Sequence, residues 1–279
     1  DISYNAVPGS IPLNLKLSFI IGAAVLIGSI LVTLFTTKEY TPEELSNFED
    51  PQSEVDVPSD EKAKLTDIFS DFAKMPTTMR QLSWVQFFSW FGLFGMWVFT
   101  TPAIAHHIYG LPLSDTSSQQ YQDAGDWVGI LFGVYNLVSA IIALFFLPFI
   151  AKKIGRKSTH AVSLIIGGIG LISIYFMPNE DWVVLPMILI GVAWASILAM
   201  PYAILAGSIA PKKMGVYMAI FNFFVVIPQI VNALIGGPIV KYLYNGDAIY
   251  ALITSGVSFL IAALLVYKVK DVDDTIQKS

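Results

Sequence analysis

The sequence predicts an all-α membrane protein with seven transmembrane helices. Three observations lead there. Hydrophobic residues make up 55% of the chain and charged residues 13%, against roughly 25% charged in a soluble domain. The apolar residues fall in runs of about twenty, the length that crosses a bilayer core as a helix rather than as a barrel strand. Fourteen of the sixteen Lys and Arg residues fall in alternate connections, which is how cytoplasmic loops are marked.

The first run, Leu17–Phe35, follows a polar stretch with Pro8, Gly9 and Pro12. The chain starts at Asp1 with no cleavable signal pattern, and it is expected to be a fragment of a longer chain that starts in a loop. Thr36 to Arg80 is rich in Glu, Asp, Ser and Pro and reads as a linker. Within it Leu65, Ile68, Phe69, Phe72 and Ala73 recur at helical spacing, predicting a short amphipathic helix on the membrane surface or against the bundle. The remaining runs are Gln81–Pro102, Trp127–Ile150, Ala161–Met177, Trp182–Ile209, Met214–Val240 and Ala248–Val266.

Basic residues set the expected topology. Lys38, Lys62, Lys64, Lys74 and Arg80 follow the first run, and Lys152, Lys153, Arg156 and Lys157 follow the third. Lys212 and Lys213 follow the fifth, and Lys268, Lys270 and Lys278 follow the seventh; Lys16 and Lys241 fall on the other side. The start of the chain is therefore expected outside and the C-terminus in the cytoplasm. The protein is expected to be multi-pass in a cell membrane, with a bacterial inner membrane as host.

The sixth run is the most unusual. It carries Asn222, Gln229 and Asn232, with Pro228 between them. A lipid-facing helix has little use for three amides and a proline. Such a helix faces other helices or a polar cavity, with a bend expected at Pro228. Glycine and proline at Gly191, Pro201, Gly207, Gly215, Pro228, Gly236 and Gly237 allow close packing and bending, as rocking helices need.

No Asp or Glu lies near the centre of a span, so no proton-coupling carboxylate is evident. Amides and aromatics are there instead. Gln86 and Trp90 are four apart on the second run with Phe94 one turn on, and Asn136, Trp194, Asn222 and Gln229 lie inside other runs. Amides beside aromatic rings suit a neutral polyhydroxylated ligand, because hydroxyls need donors and acceptors and a pyranose C–H face packs on an indole. Alternatively Trp84 and Trp97 are interfacial belt residues, Trp84 above all, and the amides are interhelical hydrogen-bond glue. Adjacent His106 and His107 sit in a predicted outer loop, Ala105 to Asp126, without a third ligand, so no metal site is expected. The chain has no cysteine, which excludes disulfides and thiolate chemistry. Ser139 and Ser196 lie in spans with no His, Lys or acid placed centrally to activate them, so no enzyme is expected. No cofactor and no nucleic-acid partner is expected.

The loop Ala151-Lys152-Lys153-Ile154-Gly155-Arg156-Lys157 resembles the G-x-x-x-D-R-x-G-R-K loop of the major facilitator superfamily in its degenerate second copy. Gly155, Arg156 and Lys157 match its end, while Pro148 replaces the first Gly and Lys152 the Asp, so the carboxylate gating role of that motif does not carry over. Met200-Pro201-Tyr202-Ala203 followed by Gly215 to Asn222 and Val226-Ile227-Pro228-Gln229 resembles sucrose/proton symporters and their glycoside–pentoside–hexuronide relatives. Phe35 to Tyr40 resembles the exit from the sixth helix of bacterial members.

This resemblance implies the sixth to twelfth helices of a twelve-helix facilitator fold. Residues 1–36 would be an outer loop and the last helix of the N-terminal half. Residues 37–80 would be the cytoplasmic linker, 81–268 the six-helix C-terminal half and 269–279 a cytoplasmic tail. The implied function is proton-coupled symport (or sodium-coupled) of a neutral glycoside, a disaccharide such as sucrose or maltose, by alternating access. Its partners would be membrane lipid, the sugar, the coupling ion and the missing N-terminal half of the same chain, which would carry the coupling carboxylates. Gln86, Trp90, Phe94, Asn136, Trp194, Asn222 and Gln229 are the candidate sugar contacts, and Gly155, Arg156 and Lys157 the gating loop. A seven-helix receptor is the alternative; a retinal protein is disfavoured because Ala248–Val266 contains no lysine.

Overall fold

A computed structural model describes residues 13–38, 74–209 and 214–272. Among these, seven helices are long and apolar enough to cross a membrane. The chain divides into two compact units, Asp1–Lys62 and Ala63–Ser279. In the first unit, α1 spans Leu13–Thr36. Ser29, Thr33 and Thr36 return their hydroxyls to carbonyls three or four residues back, which lets a polar side chain sit in an apolar helix. The expected amphipathic helix at Leu65–Ala73, Lys212, Lys213, most of the linker and most of the tail lie outside the described residues.

The second unit holds the other six. They are α2 (Thr77–Ile108), α3 (Gln119–Ile154), α4 (Arg156–Phe176), α5 (Asp181–Ala206), α6 (Met214–Tyr242) and α7 (Ile249–Val266). Two wide turns interrupt the ladder, at Ile104–Ile108 after Pro102 and at Ile142–Phe146. Such π turns take up one extra residue where the regular ladder is disturbed. α6 stays a single helix through Pro228 and Pro238.

α3 starts eight residues earlier than expected, at Gln119 rather than Trp127, and α4 starts five residues early, at Arg156 rather than Ala161. Gly155 has φ +85°, a left-handed conformation that glycine adopts at little cost. It therefore ends α3 and starts α4 with no loop between them, and the helix absorbs Arg156, Lys157 and His160. The outer loop is likewise shorter than expected, because α2 runs on to Ile108 and Ser118 caps α3 by accepting from the Tyr121 amide. In that loop the Ser118 hydroxyl, aided by the Ser117 and Ser118 amides, holds the Asp115 carboxyl below the usual carboxylate range.

α2 packs along α7 and α6, α5 packs along α4 and α3, and α4 touches α7. This pattern is unchanged when the triplet α2–α3–α4 is exchanged for α5–α6–α7. The two triplets run in opposite directions, so the unit is an inverted repeat. α2 and α5 are its central helices. Where α2, α4, α5 and α7 converge, glycine is a steric requirement. A Cβ on Gly92 would meet the Phe259 ring at 2.9 Å, and one on Gly167 would overlap Ala193 and press on the same ring at 3.3 Å. Gly167→Leu is expected to destabilise the protein by about 1–3 kcal/mol or more through overpacking, read as a lower melting temperature; an unchanged melt would show the junction to be loose.

At the end that carries Arg156, called here the basic end, the chain after α7 is stitched to α2 and α4, and Arg156 ties α4 to α5. Arg156 pairs bidentately with Asp271, at 2.7 Å and 3.2 Å, and also donates to the Ala203 carbonyl at 3.0 Å. Thr78 donates to the Lys270 carbonyl, and the Lys270 amide donates to the Gln81 side chain. The loop motif carries Lys152 where a carboxylate is usual; Arg156 instead finds one on Asp271, beyond α7.

Candidate functional site

The central helices α2 and α5, with α3, bring four large aromatics together near the middle of their spans. Trp90 and Trp97 lie two turns apart on α2, and Trp194 of α5 reaches both. Ring centroids are 5.9 Å apart for Trp90–Trp194, 5.7 Å for Trp97–Trp194 and 6.2 Å for Trp90–Trp97, all edge to face. Tyr135 of α3 stands edge-on to Trp194 at 6.5 Å, with Phe132 beside it at 5.5 Å. Edge-to-face contacts of this kind contribute about 0.5–1.5 kcal/mol per pair beyond area burial, and they lock the ring orientations.

Hydrogen bonds fix the indoles further. The Trp97 Nε1–H donates to the Tyr135 hydroxyl at 3.1 Å. The Trp194 Nε1–H donates to Asn136 Oδ1 at 3.2 Å, and Asn136 Nδ2 donates back to the Phe132 carbonyl at 2.8 Å. Trp90 and Tyr135 are buried, Trp97 and Trp194 half-buried, and Asn136 exposed. The group thus presents aromatic surface beside an amide, with no formal charge among its members. It can take a ligand with an apolar face and hydroxyls, and it offers nothing to neutralise an anion.

The other candidate residues fall elsewhere. Gln86 is fully buried one turn from Trp90, and Phe94 is half-buried one turn beyond it. Asn222 is exposed and accepts from the Tyr202 hydroxyl at 3.2 Å, about 12 Å nearer the basic end than Trp194 at the rise of a helix. Gln229 donates to the Val225 carbonyl of its own helix. Asn232 is buried and donates to the Phe91 carbonyl of α2 at 2.9 Å, so it acts as interhelical glue. Ser258 of α7 does the same to the Phe88 carbonyl.

Trp97 and Tyr135 were the residues hardest to assign from sequence. Trp97 fits a belt position by its distance along the run, and only the turn of α2 toward α5 shows its partners. Trp84 is 59% exposed, as a belt residue would be. His106 and His107 are engaged with carbonyls of Leu111 and Tyr175, and His107 stacks on the Tyr175 ring at 4.8 Å. Among the described residues no three His, Cys, Asp or Glu side chains gather as a metal site. One expectation is corrected. Ser196 does have a histidine partner, because the early start of α4 carries His160 into the bundle, where its Nδ1 lies 2.9 Å from Ser196 Oγ.

Comparison with known proteins shows the family. The family profile of the Major Facilitator Superfamily matches residues 11–233 and, in a second overlapping alignment, 117–278. Sucrose transport protein SUT2 of Oryza sativa subsp. indica is 25% identical over 272 residues, covering 88% of this chain and 52% of that protein. Its counterpart in Oryza sativa subsp. japonica is 25% identical over 276 residues, with the same coverage. The chain thus spans about half the length of the curated relatives it matches.

Proposed function

The chain belongs to the Major Facilitator Superfamily, and from that premise we propose that the full-length protein is a secondary active transporter of a neutral glycoside. It is a multi-pass membrane protein of a transporter family and not an enzyme. The observation that carries the glycoside reading is the uncharged cluster of Trp90, Trp97, Trp194, Tyr135 and Asn136 near the middle of the spans. Indole faces pack the C–H face of a pyranose, and Asn136 meets its hydroxyls. The names of the rice relatives support a disaccharide such as sucrose. Maltose is an equally compatible substrate of the same size.

In this reading the side of α2, α3, α5 and α6 that carries Asn136, Trp194, Tyr202 and Asn222 faces the other half of the transporter across the substrate cavity. Transport runs by alternating access of the two halves around a midplane site. Gln86 and Phe94 support Trp90 from within the bundle, and Asn222 and Gln229 line the path toward the basic end. Lysine and arginine placement makes that end cytoplasmic. Coupling is to protons, or to sodium, through carboxylates in the other half, since the described spans of this one hold none near their centres.

The experiment is uptake of labelled sucrose and maltose by vesicles carrying the full-length chain, with and without an imposed pH gradient. Gradient-driven accumulation of either sugar is expected. If no glycoside is accumulated or moves protons, the reading is wrong, while the family assignment stands.

A further inference from the structure

A narrow cleft lies between α2, α6 and α7. Gly95 and Phe99 of α2, Asn232 and Gly236 of α6 and Ser255 of α7 line it. Gly95 and Trp97 are two residues apart and point to nearly opposite sides of α2, so that helix separates the cleft from the aromatic cluster. The cleft runs from Tyr244, just past the end of α6, down to Asn232. Asn232 is ten residues before the end of α6 at Tyr242, about 15 Å along the helix. That is half of a hydrocarbon core of about 30 Å.

Two glycines make the space. A Cβ on Gly95 would lie 2.5 Å from Ser255 Oγ and 3.1 Å from Asn232 Nδ2. One on Gly236 would lie 2.7 Å from Asn232 Oδ1 and 3.1 Å from the Phe99 ring. Side chains of three helices thus meet at one point, which a methyl group at either glycine would fill.

Asn232 is 4% exposed. Its Nδ2 donates to the Phe91 carbonyl, which fixes the amide, because the flipped form would set oxygen against oxygen. Oδ1 is therefore the atom beside Gly236, and it has no hydrogen-bond partner among the described residues. Buried polar atoms are rarely left so, and where protein offers no partner the usual one is internal water.

Chemistry and size select the occupant. An amide oxygen only accepts, so the occupant must donate, which excludes an anion. Among the described residues no charged side chain lines the cleft, so a cation would stand uncompensated near the midplane. The cavity volume is about 20 Å³, where about 10–15 Å³ holds one water. A sugar or an acyl chain does not fit. Ser255 supplies a hydroxyl, which both donates and accepts. We propose that this cleft is an internal water site held by Asn232 Oδ1 and Ser255 Oγ. Asn232 then joins three helices: it binds α2 directly through its NH₂ group and α7 through water. The proposal does not depend on which substrate the aromatic cluster binds.

The test uses the full-length protein in lipid nanodiscs. A structure that resolves ordered water is expected to show one within hydrogen-bonding distance of Asn232 Oδ1. X-ray radiolysis in ¹⁸O-labelled water gives an independent reading, because radicals formed at a bound water oxidise the ring beside it. Phe99 is expected to take up the label, and Asn232→Leu, which removes the acceptor, is expected to lose most of it. The density and the label on the unsubstituted protein decide even where that variant does not fold. An acyl chain, a cation or unfilled space at Asn232 Oδ1, an unlabelled Phe99, or label untouched by Asn232→Leu overturns the proposal.

Discussion

Arg156→Leu is expected to destabilise the protein by about 3–5 kcal/mol, because it strands a buried carboxylate. Asp271 has a fully enclosed side chain, whereas the Arg156 side chain keeps 23% exposure. The loss should therefore be unequal. Asp271→Ala leaves a guanidinium that still reaches water and the Ala203 carbonyl, so it should fall toward or below the low end of that range. The pair also sets geometry, since Asp271 and Lys270 tie the chain after α7 to α2 and α4, while Arg156 ties α4 to the end of α5. Melting curves of the two single variants test both the size and the order of the effects. Equal and small losses would show the pair to be a solvated contact of little weight.

Trp194→Ala in the full-length protein should lower kcat/KM for the glycoside proposed as substrate by about 100-fold, roughly 2.7 kcal/mol. It removes the ring that touches Trp90, Trp97 and Tyr135 together and releases Asn136. Trp194→Phe keeps most of the ring packing and loses the bond to Asn136, so an intermediate loss is expected. Trp84→Ala is the control on the same central helix as Trp90. Trp84 lies on an exposed face beside Phe87, and its loss should leave uptake near normal. If Trp194→Ala transports normally once its folded amount is matched, the cluster is packing and the sugar binds elsewhere.

The spans were legible in the sequence because a bilayer imposes one length and one composition on every helix. All seven were found, with boundaries that moved by up to eight residues. The errors have local causes. α4 starts five residues early because Gly155 takes a left-handed conformation, allowing charged Arg156 into a helix through a partner 115 residues away. Distance in sequence hides such a pair from any reading of the loop motif alone. His160 escaped for the same reason. It lies one residue outside the expected run, next to the basic loop, yet it is fully buried against Ser196.

The candidate site was half legible. Trp90, Asn136 and Trp194 were recognisable as polar-aromatic residues in apolar runs, and the structure brings them together with Trp97 and Tyr135. Nothing in spacing along one helix tells which of its faces meets which neighbour. In this membrane protein the spans are apolar nearly all round, so hydrophobic periodicity, which orients a helix in a soluble protein, is weak. The same weakness left the three amides of α6 undivided. Asn222 faces outward beside Tyr202, Gln229 bonds its own helix, and Asn232 ties α6 to α2.

By itself, then, the sequence determined that this is an all-helical membrane protein, how many times the described chain crosses, and that its spans carry amides and indoles in place of charge. Hydrocarbon thickness and the penalty for unpaired backbone set those features helix by helix. Only the tertiary structure decided which polar residues meet. The inverted packing of two triplets puts Trp90 against Trp194 and Arg156 against Asp271, and it buries His160 beside Ser196. These are contacts between helices far apart in the chain, chosen by close packing at Gly92 and Gly167, and no single helix contains the information to specify them.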